Sequence, residues 1–163
     1  MKEILNSEQL SRTLKRMTHE IIERNNDLEE IVLVGIMKKG LPIAEIIKEN
    51  LKRFADVDIT VFGIDITAYR DDMTDVITNK EKLEVANKNV ILVDDVLFTG
   101  RSVRAAMDAL VDMARPSKVQ LAVLVDRGHR ELPIRADYVG KNIPTSKEEK
   151  VIVDFNNQCV YLD

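Results

Sequence analysis

The order of apolar and polar residues along the chain first predicts a series of strands. Three continuous apolar runs of the kind found in strands covered on both faces lie at residues 31–36, 90–93 and 118–126. Residues 57–67 alternate and are rich in β-branched side chains, which also indicates a strand. Three short strands are predicted near the end of the chain, at 136–140, 150–155 and 159–163, the last two joined by a tight turn at Asn156 and Asn157.

Helical spacing appears between these runs, in segments 6–26, 40–54 and 100–115. The first segment has one apolar face and begins at Asn6 or Ser7, either of which can cap it. Residues 68–88 are polar and show no convincing pattern. Because strands and helices alternate up to residue 126, we predict an α/β fold: one domain spanning residues 1–163, with a mostly parallel sheet flanked by helices on both faces.

Three distinctive loops leave the carboxyl ends of the predicted parallel strands, at residues 36–40, 67–88 and 94–102. Open sheets of this class bind ligands at those ends. We therefore look for the functional site in these three loops.

Composition narrows the class of protein. The 163 residues are 45% hydrophobic and 32% charged, which suits one water-exposed globular domain. No apolar run approaches a membrane span, the charged start lacks a signal-peptide pattern, and a single cysteine, Cys159, excludes an internal disulfide. We expect a cytoplasmic protein with no membrane partner.

Charge is unevenly distributed. The net charge of −4 argues against nonspecific binding along nucleic acids. Residues 115–141 nevertheless carry six bases against three acids, so a local basic surface is available.

The stretch VILVDDVLFTGRS, residues 90–102, carries the clearest chemistry. Asp94 and Asp95 are placed where the predicted strand stops, and residues 98–102 open a helix with a glycine, hydroxyl groups and free N–H groups, which together suit a phosphate. A phosphorylated sugar would place its hydroxyls on the carboxylates, with Mg²⁺ nearby. In an isolated Asp-Asp pair, capping of the loop would be the simpler interpretation; the complete pattern favours a ligand site.

This stretch resembles the phosphoribosyl-pyrophosphate signature of type I phosphoribosyltransferases. The chain as a whole resembles the narrower family of bifunctional bacterial pyrimidine operon regulators and uracil phosphoribosyltransferases. Four further stretches carry that likeness: 16–25, 64–72, 115–146 and 149–153.

The resemblance implies a uracil phosphoribosyltransferase that converts uracil and phosphoribosyl pyrophosphate to UMP and pyrophosphate. Asp94 and Asp95 would contact the ribose hydroxyls and hold Mg²⁺ indirectly through the substrate, with Arg70 as a further catalytic residue that meets pyrophosphate. The pyrophosphate loop would contain Lys38, Lys39 and Gly40. The donor or UMP would bind along the whole signature, which consists of Val90, Ile91, Leu92, Val93, Asp94, Asp95, Val96, Leu97, Phe98, Thr99, Gly100, Arg101 and Ser102.

The same resemblance assigns the nucleobase side. Purine-using relatives place an Asp where this chain has Phe98, and Phe has no acid or base group, so a pyrimidine is expected. Residues 125–128 and a small hood at 138–144 would surround the base, with Arg127, Val139 and Ile143 as base-binding candidates.

The family's second activity is binding of a hairpin in the leader of pyrimidine (pyr) mRNA, favoured by UMP or UTP, to promote transcription termination. The expected RNA-binding residues are basic or imidazole side chains: Lys15, Arg16, His19, Arg24, Arg130, Arg135 and Lys141. Without the resemblance, ordinary solvation would be the better interpretation of the basic residues on the first helix. The family also implies a homodimer or a higher homo-oligomer.

Two alternatives stay open. The family's pyrophosphate loop usually carries Arg where this chain has Lys39, and Lys keeps the charge but loses the two-pronged fork. The chain could thus be an RNA-binding regulator with weak or lost transferase activity. It could also transfer phosphoribosyl groups to another base and have no role in RNA binding.

Overall fold

A computed structural model describes residues 1–67 and 77–163. In chain order, the elements of these residues are β1 (Lys2–Leu5), α1 (Ser7–Arg24), a 3₁₀ turn (Leu28–Glu30), β2 (Ile31–Ile36), α2 (Gly40–Ala55), β3 (Thr60–Ile64), α3 (Asn79–Val85), β4 (Asn89–Leu97), α4 (Arg101–Ala114), β5 (Lys118–Asp126), β6 (Tyr138–Asn142), β7 (Val151–Asp154) and β8 (Cys159–Leu162).

The predicted α/β fold is confirmed. Five strands form a parallel sheet in the order β3-β2-β4-β5-β6. Helices α1 and α2 cover one face, where Met17 and Ile47 pack with Ile91, and α4 covers the other, where Leu110 packs with Leu92. Both faces of the central strands are therefore buried, which explains their continuous apolar runs.

Helix and strand boundaries follow local chemistry where a local signal exists. Strands β2 and β5 coincide with their predicted ranges. Of the two candidate caps for α1, Asn6 is the one used: its side chain accepts the N–H of Gln9, and the Gln9 side chain accepts the N–H of Asn6. Strand β3 is shorter than predicted and β6 begins two residues later, at Tyr138.

Strand β4 corrects the expectation that the strand stops at Asp94. It continues through the acidic pair to Leu97 because β5 runs beside it for the same length, pairing Asp94 with Val123 and Leu97 with Asp126. The carboxylates therefore sit in a paired strand and not in the first residues of a loop.

Among the described residues, helix α3 and strand β1 were not predicted. Helix α3 lies within the segment judged to have no pattern, and its start is marked by Thr78 and Glu81, which cap each other's backbone N–H groups. Strand β1 pairs antiparallel with β8, a partner at the other end of the chain.

The small sheet also corrects an assignment. Residues 138–142, expected in a hood, form edge strand β6 of the main sheet. A separate antiparallel sheet is built instead from β1, β8 and β7. Its β7–β8 turn spans residues 155–158, longer than the two residues predicted, and is held by Asp154, which accepts the N–H groups of Asn156 and Asn157.

None of the helices in the described part of the chain has the length and apolar character needed to cross a bilayer.

Candidate active site

The acidic pair lies near the carboxyl end of β4. Asp94 is 8% exposed and Asp95 is half-buried. Each carboxylate accepts the N–H of the next residue, at 2.8 Å in both cases, and remains free to accept further donors. Burial, and then the neighbouring negative charge of Asp95, raises the pKa of Asp94 well above its ordinary value. A ligand that brings hydroxyl donors or a cation would relieve this cost.

The phosphate-loop candidate, residues 98–102, follows immediately. Gly100 has a φ of +94°, a backbone conformation that favours glycine, and α4 begins at the next residue. The Thr99 hydroxyl accepts the N–H of Arg101 at 3.3 Å. The first N–H groups of α4 are thus gathered at the end of β4, in the geometry that binds anions.

The loop at residues 37–40 is brought beside the acidic pair by a close approach of two backbones. A Cβ on Gly40 would lie 2.2 Å from the Val93 carbonyl oxygen and 3.2 Å from the Asp94 Cα, so α2 can begin here only with glycine. The Met37–Lys38 peptide bond is cis. Lys38 and Lys39 are both exposed in this loop.

The base-binding candidates are only partly brought together. Arg127 is 7% exposed, and its guanidinium lies 4.0 Å from the centre of the Phe98 ring. It donates to the Thr145 hydroxyl at 3.1 Å and to the Ser146 carbonyl at 2.8 Å. Val139 and Ile143 pack against the two different core clusters, on opposite faces of the sheet.

The contacts around Phe98 reveal two residues that sequence reasoning did not place in the site, His129 and Thr145, beside Asp126 of the predicted stretch 125–128. The His129 ring meets Phe98 edge-on, with 5.9 Å between ring centres, and its Nε2 contacts the Thr145 carbonyl. Asp126 pairs with Arg130 at 2.6 Å. The positions of His129 and Thr145 depend on loops that meet only in the folded chain, so no local pattern marks these two residues.

The RNA-binding candidates on α1 adjoin β6. Arg16 donates to the Gly140 carbonyl, and Arg24 donates to the Asp137 carbonyl at 2.7 Å. The His19 ring packs against Phe54 of α2, tilted by 31°, with 4.7 Å between ring centres. A cavity of about 480 Å³ between α1 and β6 is lined by Leu5, Gln9, Arg12, Thr13, Arg16 and Lys141.

The remaining candidates differ in their placement. Lys15 is half-buried on α1, and Arg135 is exposed in the loop before β6. Arg130 points inward, bonded to Phe98 and Asp126. Arg70 lies outside the described residues.

Comparison with known proteins agrees with this geometry. The profile of the phosphoribosyl transferase domain matches residues 1–158. The bifunctional protein PyrR of Clostridium novyi is 56% identical over 156 residues, which cover 92% of this chain and 88% of that protein. The chain belongs to the bifunctional PyrR family. The PyrR relative from Enterococcus faecalis (strain ATCC 47077 / OG1RF) is 53% identical over 162 residues, covering 96% of this chain and 91% of the relative.

Solved structures show that this chain shares a wider fold. The hypoxanthine phosphoribosyltransferase of Trypanosoma cruzi superimposes with a TM-score of 0.77 at 19% identity, covering 99% of this chain and 95% of that one. An orthorhombic crystal form of the Staphylococcus aureus hypoxanthine phosphoribosyltransferase gives 0.77 at 20% identity, covering 98% and 90%. At such low identity these likenesses show a shared fold only. Which base the protein uses has to be argued from the residues of the site.

Proposed function

We propose that the protein is a bifunctional regulator that transfers the phosphoribosyl group of phosphoribosyl pyrophosphate to uracil and binds the leader hairpin of pyr mRNA in response to UMP or UTP. Its setting is the cytoplasm, where both the donor and the transcript occur, and its working form is a homodimer or a higher homo-oligomer. The observation that carries the transferase assignment is the juxtaposition of the acidic pair with the glycine-led start of α4. Together they offer acceptors for ribose hydroxyls and N–H donors for a 5′-phosphate.

Transfer breaks the bond between the anomeric carbon and pyrophosphate and forms a bond from that carbon to a uracil nitrogen, which releases its proton. Asp94 and Asp95 would accept hydrogen bonds from the ribose hydroxyls. Their negative charges would stabilise the positive charge that develops on the sugar ring. Lys38 and Lys39, with Arg70, would hold the departing pyrophosphate, which carries away the electrons of the broken bond. Residues 98–102 keep the 5′-phosphate fixed while the two ends of the donor separate.

Mg²⁺ fits this site as an ion carried by the substrate. The described residues contain no group of three or more His, Cys, Asp or Glu side chains that could hold a metal ion. Mg²⁺ usually binds through one or two carboxylates together with substrate phosphates. Asp94 and Asp95 would hold the ion only indirectly, through the substrate, and the ion would neutralise pyrophosphate charge.

Phe98 supports a pyrimidine as the acceptor. Its ring lies under the guanidinium of Arg127 and offers no carboxylate for proton exchange with a purine. Arg127 donates hydrogen bonds to the segment that contains Thr145 and Ser146. We therefore propose that it orders this segment around the base. The base edge would then be read by backbone groups.

RNA binding is supported by the basic side chains on adjoining elements α1 and β6. Arg16 connects the two through the Gly140 carbonyl, and Lys141 lines the same cavity as Arg12 and Arg16. Cationic side chains on a mostly acidic protein suit one particular RNA loop better than a long duplex.

The deciding experiment is an assay of nucleotide formation from phosphoribosyl pyrophosphate and Mg²⁺ with uracil, hypoxanthine or guanine as the acceptor. We expect turnover with uracil alone. Turnover with a purine would contradict the interpretation of Phe98.

One alternative function has its own observation, the presence of lysine at position 39 of the exposed loop. If no base is converted while UMP still binds, the protein is a regulator that keeps the pocket as a nucleotide sensor. A Lys39→Arg variant that gains uracil transfer would support this second candidate.

A further inference from the structure

The loop at residues 127–135, called here the basic loop, is bonded to carbonyl groups at the end of β4 and in the phosphate loop, residues 98–102. The N–H of Arg127 donates to the Leu97 carbonyl at 3.1 Å. The N–H groups of Glu131 and Leu132 both donate to the Thr99 carbonyl, at 2.9 and 3.2 Å. Two side-chain contacts strengthen this connection: Arg101 pairs with Glu131 at 2.8 Å, and Ile134 lies against Gly100.

Arg130 stands at the centre of this contact. Its guanidinium donates through Nη1 to the Phe98 carbonyl at 2.7 Å, through Nη2 to the Asp126 carboxylate at 2.6 Å, and through Nε to the Ile134 carbonyl at 2.8 Å. The side chain is 23% exposed, and that of Asp126 is 15% exposed. The other Asp126 oxygen accepts the N–H of Gly128 at 3.0 Å, so the carboxylate that holds Arg130 is itself oriented.

These bonds set the direction of the peptide groups that would hold a phosphate. In a planar trans peptide the carbonyl and the following N–H point in opposite directions. Fixing the carbonyls of Phe98 and Thr99 on the basic loop therefore aims the N–H groups of Thr99 and Gly100 away from it. Those N–H groups belong to the loop that leads into α4.

We infer that Arg130 is a positioning residue for the phosphate loop and not a direct RNA contact, an inference that rests on the proposed function of residues 98–102. It acts by holding the Phe98 carbonyl, and Asp126 supplies the charge that holds Arg130. Any effect of Arg130 on RNA binding then passes through the nucleotide pocket. Arg130 thus connects the nucleotide pocket with the basic loop. The exposed Arg135 of that loop remains the candidate for a direct RNA contact.

The test compares the wild type with Arg130→Gln, Arg130→Lys and Arg53→Gln, the last a distant surface arginine on α2. Affinity for UMP is measured by calorimetry, KM for phosphoribosyl pyrophosphate and kcat by uracil transfer, and RNA affinity with and without saturating UMP. Melting temperatures establish that each variant is folded.

For Arg130→Gln we expect UMP affinity to fall and KM to rise by about tenfold or more, because bonds from a charged donor are lost, with a smaller change in kcat. Arg130→Lys keeps the charge beside Asp126 and should lie between Gln and the wild type, and it decides the matter if the Gln variant does not fold. Arg53→Gln should match the wild type. RNA affinity of the Arg130 variants should recover when UMP is saturating.

Three results would separate the possible failures. Unchanged UMP affinity and KM in both Arg130 variants would overturn the positioning role. An RNA defect that persists at saturating UMP would make Arg130 an RNA contact and overturn the inference as well. A wild type that binds neither UMP nor phosphoribosyl pyrophosphate would instead overturn the proposed function itself.

Discussion

At the scale of single residues, Asp94 shows how a functional group can oppose stability. Its carboxyl group is almost fully buried beside Asp95 and accepts the Asp95 N–H. Burying a charge costs free energy unless a partner offsets it. Because the pKa of Asp94 is raised in the folded chain, the folded state holds a proton more tightly than the unfolded state. The stability that this protonated carboxyl group contributes is therefore fully present below its ordinary pKa. It is lost as the pH rises towards the raised value.

We predict that Asp94→Asn makes the protein more stable and the enzyme much slower. Above the ordinary carboxyl pKa the substitution removes the cost of protonating Asp94 on folding or, at higher pH, of burying its charge, so the free energy of unfolding should rise by about 0.5–2 kcal/mol. Urea denaturation across pH 4–8 should show a smaller fall of stability with rising pH in the variant. Uracil transfer should drop by about a hundredfold or more, in the range for loss of one charge-stabilising group.

The control for this substitution is Asp58→Asn, because the Asp58 side chain is 79% exposed and lies outside the site. Its stability and activity should stay close to those of the wild type. A wild-type dependence of stability on pH that survives in Asp94→Asn would show that another group causes it.

At the scale of elements, the site depends on how closely α2 approaches β4. Gly40 begins the helix against the Val93 carbonyl, and Gly35 of β2 lies under the same helix, where an added Cβ would be 2.4 Å from the Leu41 Cα. The exposed lysine loop between β2 and α2 is consequently held near Asp94. A larger residue at either glycine would move the helix as a whole.

We predict that Gly40→Ala destabilises the protein by about 1–3 kcal/mol, the usual cost of inserting a methyl group where there is no room. This sign is unusual, because alanine normally favours a helix over glycine by about 0.5–1 kcal/mol. The KM for phosphoribosyl pyrophosphate should also rise, since the loop moves with the helix. Chemical denaturation and steady-state kinetics measure the two effects.

The matched substitution is Glu49→Ala, an exposed position on the same helix. It should change stability by no more than about 0.5 kcal/mol. If Gly40→Ala is as well tolerated as Glu49→Ala, the backbone contact with Val93 does not constrain the helix.

At the scale of the whole molecule, charge is separated. The net charge is −4, yet basic side chains collect where α1 meets β6 and along the basic loop. Such a surface draws RNA phosphates locally while the rest of the protein repels them. Binding should therefore depend on a small number of phosphate contacts.

We predict that Lys15→Gln, Arg135→Gln and Lys141→Gln each weaken binding of the pyr leader hairpin. Each should reduce the slope of log affinity against log salt by about 0.7–1, the value for one lost phosphate contact. Filter binding or fluorescence anisotropy over a salt series gives the slope. Lys118→Gln, at the amino end of β5, should leave the slope unchanged. Equal slopes in all four variants would contradict the assignment of the RNA-binding surface to α1, β6 and the basic loop.

Much of the fold and of the acidic pair's neighbourhood was determined by the sequence alone, for a local reason. Apolar periodicity places β2, β5 and the three long helices because burial on one or both faces leaves its own pattern in consecutive residues. Asp94, Asp95 and residues 98–102 are contiguous, so the strand, the carboxylates and the start of α4 could be predicted together. The capping signal at Thr78 and Glu81 was also present in the sequence, within a stretch too polar to suggest a helix.

Only the tertiary structure decided the features that depend on residues far apart in the chain. Strand β1 finds β8 across the whole length of the chain, and β4 extends past Asp94 because β5 supplies hydrogen-bonding partners there. Arg130 is basic and lies in a polar loop, so its sequence suggests a surface residue. In the folded chain, Asp126 and the Phe98 carbonyl draw it inward. Charge and hydrophobicity are properties of a residue, whereas the partner that satisfies them is a property of the fold.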